Sequence, residues 1–226
     1  MIGSGGSARL KSGERFTACV AHELRTPLAT QRALLELALA DPHADVGSWR
    51  EVGEGVLRAC LEQERLLEAC LALARSRGGQ RRCEPIDLAA VAADALRAHD
   101  LSGLERVVVL ERARTSGDPE LLGRLAANLV SNAVRHNVVG GWIEVTTRAG
   151  SGRAHLVVAN SGPLVPAGEL QRLFQPFQRL NSHSGDGVGL GLAIVQAIAD
   201  AHGAFTTART RAGGGLGIDV AFLALD

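Results

Sequence analysis

Residues 16–28 read Phe16-Thr17-Ala18-Cys19-Val20-Ala21-His22-Glu23-Leu24-Arg25-Thr26-Pro27-Leu28, and the spacing of their apolar members decides the architecture of the first third of the chain. At about 100° per residue, Phe16, Val20, Leu24, Leu28 and Leu35 fall on one helical stripe, and His22 points away from it. The imidazole is therefore expected on a polar face. Glu23 beside it can accept or orient a ring proton, and Thr26, one turn further on, shares the His22 face. Alone, this grouping of histidine, carboxylate and hydroxyl describes many solvated helix faces, so its meaning depends on the rest of the chain.

Helix-forming sequence runs from about Leu10 to Leu39, Asp41-Pro42-His43 interrupts it, and a second pattern extends from about Val46 to Arg77 until Gly78-Gly79 ends it. In the second arm Val52, Val56, Ala59, Gln63, Leu66, Cys70 and Leu73 alternate steps of four and three, the spacing of a bundle seam. Two helices cannot bury such stripes alone. The pattern therefore predicts a homodimer, with two identical hairpins closing a four-helix bundle.

The chain has 226 residues and is 46% hydrophobic, enough for buried cores rather than disorder. Lys plus Arg and Asp plus Glu each total 24, so no electrostatic case arises for nucleic acid or an anionic membrane as partner. No apolar run approaches the roughly 18–20 residues that span a bilayer, and residues 1–8 read as a flexible leader or expression scar. Cys19, Cys60, Cys70 and Cys83 lack the paired spacing of a zinc site or a disulfide framework, which points to reduced thiols in the cytoplasm.

Beyond a linker at 78–84 the character changes, and 85–226 reads as a second domain. Pro85-Ile86-Asp87 caps a helix from Leu88 to Ala98, strand-like runs lie at Val107 to Glu111, Trp142 to Arg148 and Ala154 to Ala159, and Gly217 to Leu225 closes the chain as a strand. Helices are expected at Pro119 to Asn137 and Val188 to Ala201, giving an α+β sandwich with helices on one face of a sheet. On the first of these, Leu122, Ala126, Leu129 and Ala133 share one side, while Asn128, Asn132, Arg135 and His136 fall within about 100° of arc on the other. Asparagine oxygens are hard ligands suited to Mg²⁺, and a nearby arginine can brace phosphates. Gly185-Asp186-Gly187-Val188-Gly189-Leu190-Gly191 leads straight into the second helix, bringing flexible backbone and a helix N-terminus to one place. It matches neither the dinucleotide fingerprint nor the P-loop, which needs a Lys-Ser/Thr pair.

The order of these blocks carries a family resemblance. His22-Glu23-Leu24-Arg25-Thr26-Pro27-Leu28 resembles the phosphoacceptor box of sensor histidine kinases, in which the proline bends the helix below the histidine. Asn128 to Ala133, Asn160-Ser161-Gly162-Pro163, Leu173-Phe174-Gln175-Pro176-Phe177, Gly187 to Gly191 and Gly213 to Gly217 resemble, in sequence order, the N box, first glycine box, F box, second glycine box and final glycine patch of the kinases' ATP-binding domain, the Bergerat fold. The resemblance implies that Asn132 binds Mg²⁺, that Asn128 supports the metal or phosphate shell, and that Arg135 and His136 line the triphosphate or ribose. It implies that Gly187, Gly189 and Gly191 cradle phosphates, that Asn160 and Gly162 belong to the base pocket, and that Arg179 reaches the γ-phosphate from a lid. Phe174 and Phe177 are expected to pack.

It further implies a function: ATP phosphorylates His22 with Glu23 as base, the phosphoryl passes to an aspartate of a response regulator receiver domain, and Thr26 helps remove it again. The full-length protein is then expected at the bacterial membrane, with these residues in the cytoplasm. An alternative keeps the fold as a pseudokinase scaffold that binds a response regulator with little ATP turnover. The departure from the family pattern is Asn160, where an aspartate usually accepts the adenine amino proton. A neutral amide is the weaker acceptor by about 1 kcal/mol. Asn160→Asp is accordingly expected to tighten nucleotide binding, and the amide's NH₂ must find a partner of its own.

Overall fold

The computed structural model describes residues 24–77, 83–178 and 189–225. The chain divides between Leu71 and Ala72 into two compact units, each built on its own interior.

The first unit is a helical hairpin of α1, described over 24–40, and the greater part of α2, Val46–Arg77. Asp45 starts α2: its carboxylate accepts from Ser48 N at 2.8 Å and Ser48 Oγ at 2.9 Å, and these bonds hold its carboxyl below the ordinary value. The arms meet through small residues. Ala38 and Ala59 are buried, and a Cβ added at Gly55 would lie 2.8 Å from Leu34 Cδ1, so the helices approach too closely for larger side chains there. Among the described residues Gln31 makes polar contact across the hairpin, where its Nε2 donates to Gln63 Oε1 at 3.3 Å and lies 3.2 Å from Cys60 Sγ.

The expected α1 stripe divides on folding. Leu24, Pro27, Gln31, Leu34 and Ala38 turn toward the hairpin, while Leu28 and Leu35 remain exposed at 55% and 40%. The physical reason is phase. A step of seven residues from Leu28 to Leu35 selects a face about 60–80° away from the one that α2 covers. On α2, Val46, Trp49, Leu57, Leu61 and Leu67 form a second exposed apolar face.

The second unit is an α/β sandwich. Its sheet has the order β2-β4-β5-β7-β6, from Glu105–Leu110 (β2), Trp142–Gly150 (β4), Arg153–Asn160 (β5), Leu216–Leu223 (β7) and Phe205–Thr210 (β6). β2 and β4 are parallel and the other pairs antiparallel. A two-stranded antiparallel pair, β1 (Glu84–Asp87) with β3 (Arg114–Gly117), stands beside it. One sheet face presents Ile143, Val145, Leu156, Val158, Ile218, Val220 and Phe222, all buried, and helices α3 (Leu88–Arg97), α4 (Pro119–Arg135) and α5 (Gly191–Ala201) cover it, with α4 central. The expected inward side of α4, Leu122, Ala126, Leu129 and Ala133, is buried as its spacing requires.

The caps follow the sequence. Asp87 Oδ1 accepts from Ala89 N and also from Ala113 N, both at 3.0 Å, so one carboxylate starts α3 and fastens the approach to β3. Asp118 accepts from Glu120 N and Leu121 N at the start of α4, with Pro119 in the first turn. His202, at the end of α5, joins the two helices. Its Nε2 accepts Asp118 N–H at 3.0 Å, which requires the proton on Nδ1, and Nδ1 donates to Ile198 O at 2.7 Å. Its ring stands edge-on to Phe222.

The structure adds elements to the expected set. β1, β3 and β6 appear in addition, α4 stops at Arg135 rather than Asn137, and α5 starts at Gly191 rather than Val188. β6 is a polar edge strand, and β1 and β3 are four residues each. The ring of His202 leads to a direct expectation. His202→Ala should destabilise the protein by about 2 kcal/mol in chemical denaturation, since it orphans the Asp118 N–H and opens space against Phe222. A change under about 0.5 kcal/mol would show that the ring does not link α4 to α5.

Candidate nucleotide site

Two ends of the second unit gather the residues singled out above. At the first end, β5 finishes at Asn160 beside the C-terminus of α4. Asn160 is 4% exposed. Its Nδ2 donates to Ser161 O at 2.7 Å and to His136 O at 3.4 Å, whereas Oδ1 accepts no hydrogen bond among the described residues. The sealed and unpaired side-chain polar atom among those residues is Thr206 Oγ1, so the Asn160 oxygen opens onto solvent. The amide thus has a satisfied donor end and a vacant acceptor end.

The walls here are backbone. Gly215 has φ +98, its N donates to Pro163 O at 3.0 Å, and a Cβ there would overlap the Asn160 carbonyl oxygen. A Cβ at Gly162 would lie 2.5 Å from His136 O and 3.3 Å from Asn160 Nδ2. The first glycine box and the final glycine patch therefore pack against each other, and side chains at these positions would fill the floor of the site.

A pair with no role assigned from the sequence fixes this end. Ser161 Oγ donates to Asn137 Oδ1 at 2.6 Å and accepts Trp142 N–H at 2.8 Å, while Asn137 Nδ2 donates to Trp142 O at 3.0 Å and Ala133 O at 3.2 Å. These bonds tie the end of α4, the start of β4 and the end of β5 into one joint. Asn137 competes for the last α4 carbonyls, which is why the helix stops at Arg135. The signal available in sequence was a polar residue just past the helix end, a common feature with many explanations.

At the second end lie the outer face of α4 and the start of α5. Asn128 Nδ2 donates back to Arg124 O at 2.8 Å, which turns Oδ1 outward; that oxygen lies 3.4 Å from where a Gly191 Cβ would sit. Leu190 gives α5 no side-chain cap, so its first-turn N–H groups are available to an anion. Asn132 is half-buried with no side-chain hydrogen bond, and the Arg135 guanidinium is exposed with no ion pair, both among the described residues. A half-buried amide oxygen without a partner fits the hard-ligand role expected of Asn132 toward Mg²⁺. Gly189 has φ +71 and its carbonyl accepts Phe177 N–H at 3.0 Å, fastening the F-box segment to the approach to α5.

The structure thus brings Asn160 and Gly162 together with the His136 backbone, and Asn128 together with Gly191, while the exposed side chains of Arg135 and His136 share the end of α4. His22, Glu23, Arg179 and Gly187 lie outside the described residues. Thr26 lies on an exposed position of α1, where its carbonyl accepts from Thr30 Oγ1 at 3.1 Å.

Comparison with known proteins finds two families along the chain. Residues 13–79 match the family described as His Kinase A (phospho-acceptor) domain, and 117–225 match Histidine kinase-, DNA gyrase B-, and HSP90-like ATPase. The chain belongs to the sensor histidine kinases of two-component systems, and its two units are their helical hairpin and their α/β ATPase-type domain. It is 46% identical over 211 residues to the sensor protein CutS of Streptomyces coelicolor, covering 90% of this chain and 51% of that protein. It is 34% identical over 202 residues to the sensor protein kinase PmrB of Pseudomonas aeruginosa, covering 85% and 42%. The chain spans about half the length of these curated relatives or less. In fold it is similar to the histidine kinase ThkA in complex with the response regulator protein TrrA (TM-score 0.74, 20% identity, 96% of this chain and 63% of that one) and to Acinetobacter baumannii AdeS (TM-score 0.71, 21% identity, 91% and 98%).

Because Gly215 combines a left-handed backbone with an overlap on Asn160, Gly215→Ala should cost about 2–4 kcal/mol of stability. Thermal unfolding checks this, and an unchanged midpoint would contradict the packing of the two glycine boxes.

Proposed function

We propose that this chain is the catalytic core of a dimeric histidine autokinase. The observation that carries the reading is one chain holding both a phospho-acceptor match that includes His22 and an ATPase match that includes the paired site above. In this reading ATP binds the α/β unit with its base at Asn160 and Gly162 and its phosphates near Asn128, Arg135, His136, Arg179, Gly187, Gly189 and Gly191. Mg²⁺ held by Asn132 would neutralise phosphate charge. A ring nitrogen of His22 attacks the γ-phosphorus, the bond to the bridging oxygen breaks, and ADP leaves. Glu23 holds or removes the ring proton so that a neutral nitrogen presents its lone pair. Phosphoryl transfer of this kind is chiefly positioning and charge neutralisation, which the exposed Arg135 guanidinium and the start of α5 supply.

The phosphoryl then passes to an aspartate of a response regulator, and Thr26 orients the water that hydrolyses the regulator's acyl-phosphate. The exposed apolar faces, Leu28 and Leu35 on α1 and Trp49, Leu57 and Leu61 on α2, support pairing with a second copy into a four-helix bundle. The functional limits in this reading are 9–77 for the phosphoacceptor hairpin, 78–84 for the linker and 85–226 for the ATP-binding domain. No helix among the described residues is long and apolar enough to cross a membrane, and we assign the residues here to the cytoplasmic part of a membrane-anchored sensor. Free acceptor and anion-binding groups in the α/β unit favour catalysis over a scaffold that only holds a regulator.

Incubation with γ-labelled ATP and Mg²⁺ should give acid-labile, base-stable label on the wild type and none on His22→Gln. Label persisting in His22→Gln would refute the acceptor, and an unlabelled wild type would refute the kinase.

A further inference from the structure

The direction in which the Asn160 amide points is fixed by its surroundings, and this decides what it can read. Both partners of Nδ2, Ser161 O and His136 O, are backbone carbonyls and can only accept. Rotating the amide by half a turn would set Oδ1 against two carbonyl oxygens with no proton between them. The two carbonyls are themselves immobilised. His136 directly precedes Asn137, and Ser161 carries the hydroxyl that meets Asn137 Oδ1 at 2.6 Å, so each acceptor lies within one residue of the same joint. Trp142 N–H on Ser161 Oγ and Trp142 O on Asn137 Nδ2 fasten that joint to β4. Gly162 leaves room for the amide to reach His136 O.

We infer that Asn137 and Ser161 are positioning residues that clamp the Asn160 amide with its oxygen toward the ligand, so that the site reads an exocyclic amino group of a purine through a neutral acceptor and disfavours a carboxylate at 160. This rests on the nucleotide-binding reading above. The two consequences share one cause. A purine carrying a 6-amino group donates to Oδ1, whereas a 6-oxo purine sets a second acceptor against it. An aspartate at 160 would place its second oxygen where Nδ2 now sits, facing Ser161 O and His136 O without a hydrogen to share. The expectation drawn from acceptor strength alone is thereby reversed: the carboxylate is the better acceptor in isolation, but here it loses the two bonds that aim it.

The test is calorimetric titration of the full chain with ATP and with inosine triphosphate, each with Mg²⁺, on wild type, Asn160→Asp, Ser161→Ala and Ser161→Thr. Wild type should prefer ATP by at least tenfold, Asn160→Asp should lose at least tenfold in ATP affinity, Ser161→Ala should shrink the ATP preference several-fold, and Ser161→Thr, which keeps the hydroxyl, should retain it. Asn160→Asp binding ATP as tightly as wild type or more tightly overturns the inference while leaving nucleotide binding intact. A wild type that binds neither nucleotide overturns the nucleotide reading and this one with it. Should Asn160→Asp fail to fold, the Ser161 pair decides: an ATP preference equal in Ser161→Ala and wild type contradicts the clamp.

Discussion

The hydrogen bond from Ser161 Oγ to Asn137 Oδ1, 2.6 Å long, joins residues 24 apart in the sequence. It brings the end of the central helix to the end of a central strand, with the first residue of β4 bonded to both partners. The arrangement around Asn160 is built on it: where α4 stops, where the His136 and Ser161 carbonyls face, and which way the Asn160 amide turns. Such a network is stabilising only when every member is satisfied. Among the described residues the Asn160 oxygen accepts no hydrogen bond, which leaves a place that a ligand donor would complete.

The opposite end of the site works by different physics. There α5, with no side-chain cap from Leu190, the outward oxygen of Asn128, and Asn132 and Arg135, which have no side-chain partner among the described residues, present polar groups suited to a charged ligand. A hydrogen-bonded, neutral end and an uncapped helix start are together suited to a nucleotide, which carries both a hydrogen-bonding base and anionic phosphates.

Long periodic elements were legible from the residues themselves. The run from Val46 to Arg77 coincides with α2, because a continuous apolar period and a Gly-Gly stop leave little choice. The buried side of α4 was equally plain. What escaped depends on contacts between distant residues. The edge strand β6, Phe205-Thr206-Thr207-Ala208-Arg209-Thr210, carries no regular apolar alternation and owes its conformation to β7, and the short β1 and β3 exist because Asp87 and Thr115 bond Ala113 N and Leu223 O. The split of the α1 stripe followed from which face α2 happens to cover. In the site, Asn128, Asn132 and the glycines were visible as motifs. Ser161 stood inside a quoted box and Asn137 at an expected helix end, but neither showed a role, since their importance lies in a bond across 24 residues of sequence. Asn160 was visible, but the two backbone carbonyls that receive its amide were not, since they are set by the fold.

The most direct measurement is on the Asn160 side-chain amide itself. In spectra of the nitrogen-15-labelled chain, with Asn160→Ala identifying the signal, the account predicts Nδ2 protons protected from exchange before any ligand is added. ATP should then shift that signal without removing the protection. An Asn160 amide that exchanges as fast as an exposed asparagine, or that is indifferent to ATP, would contradict the account.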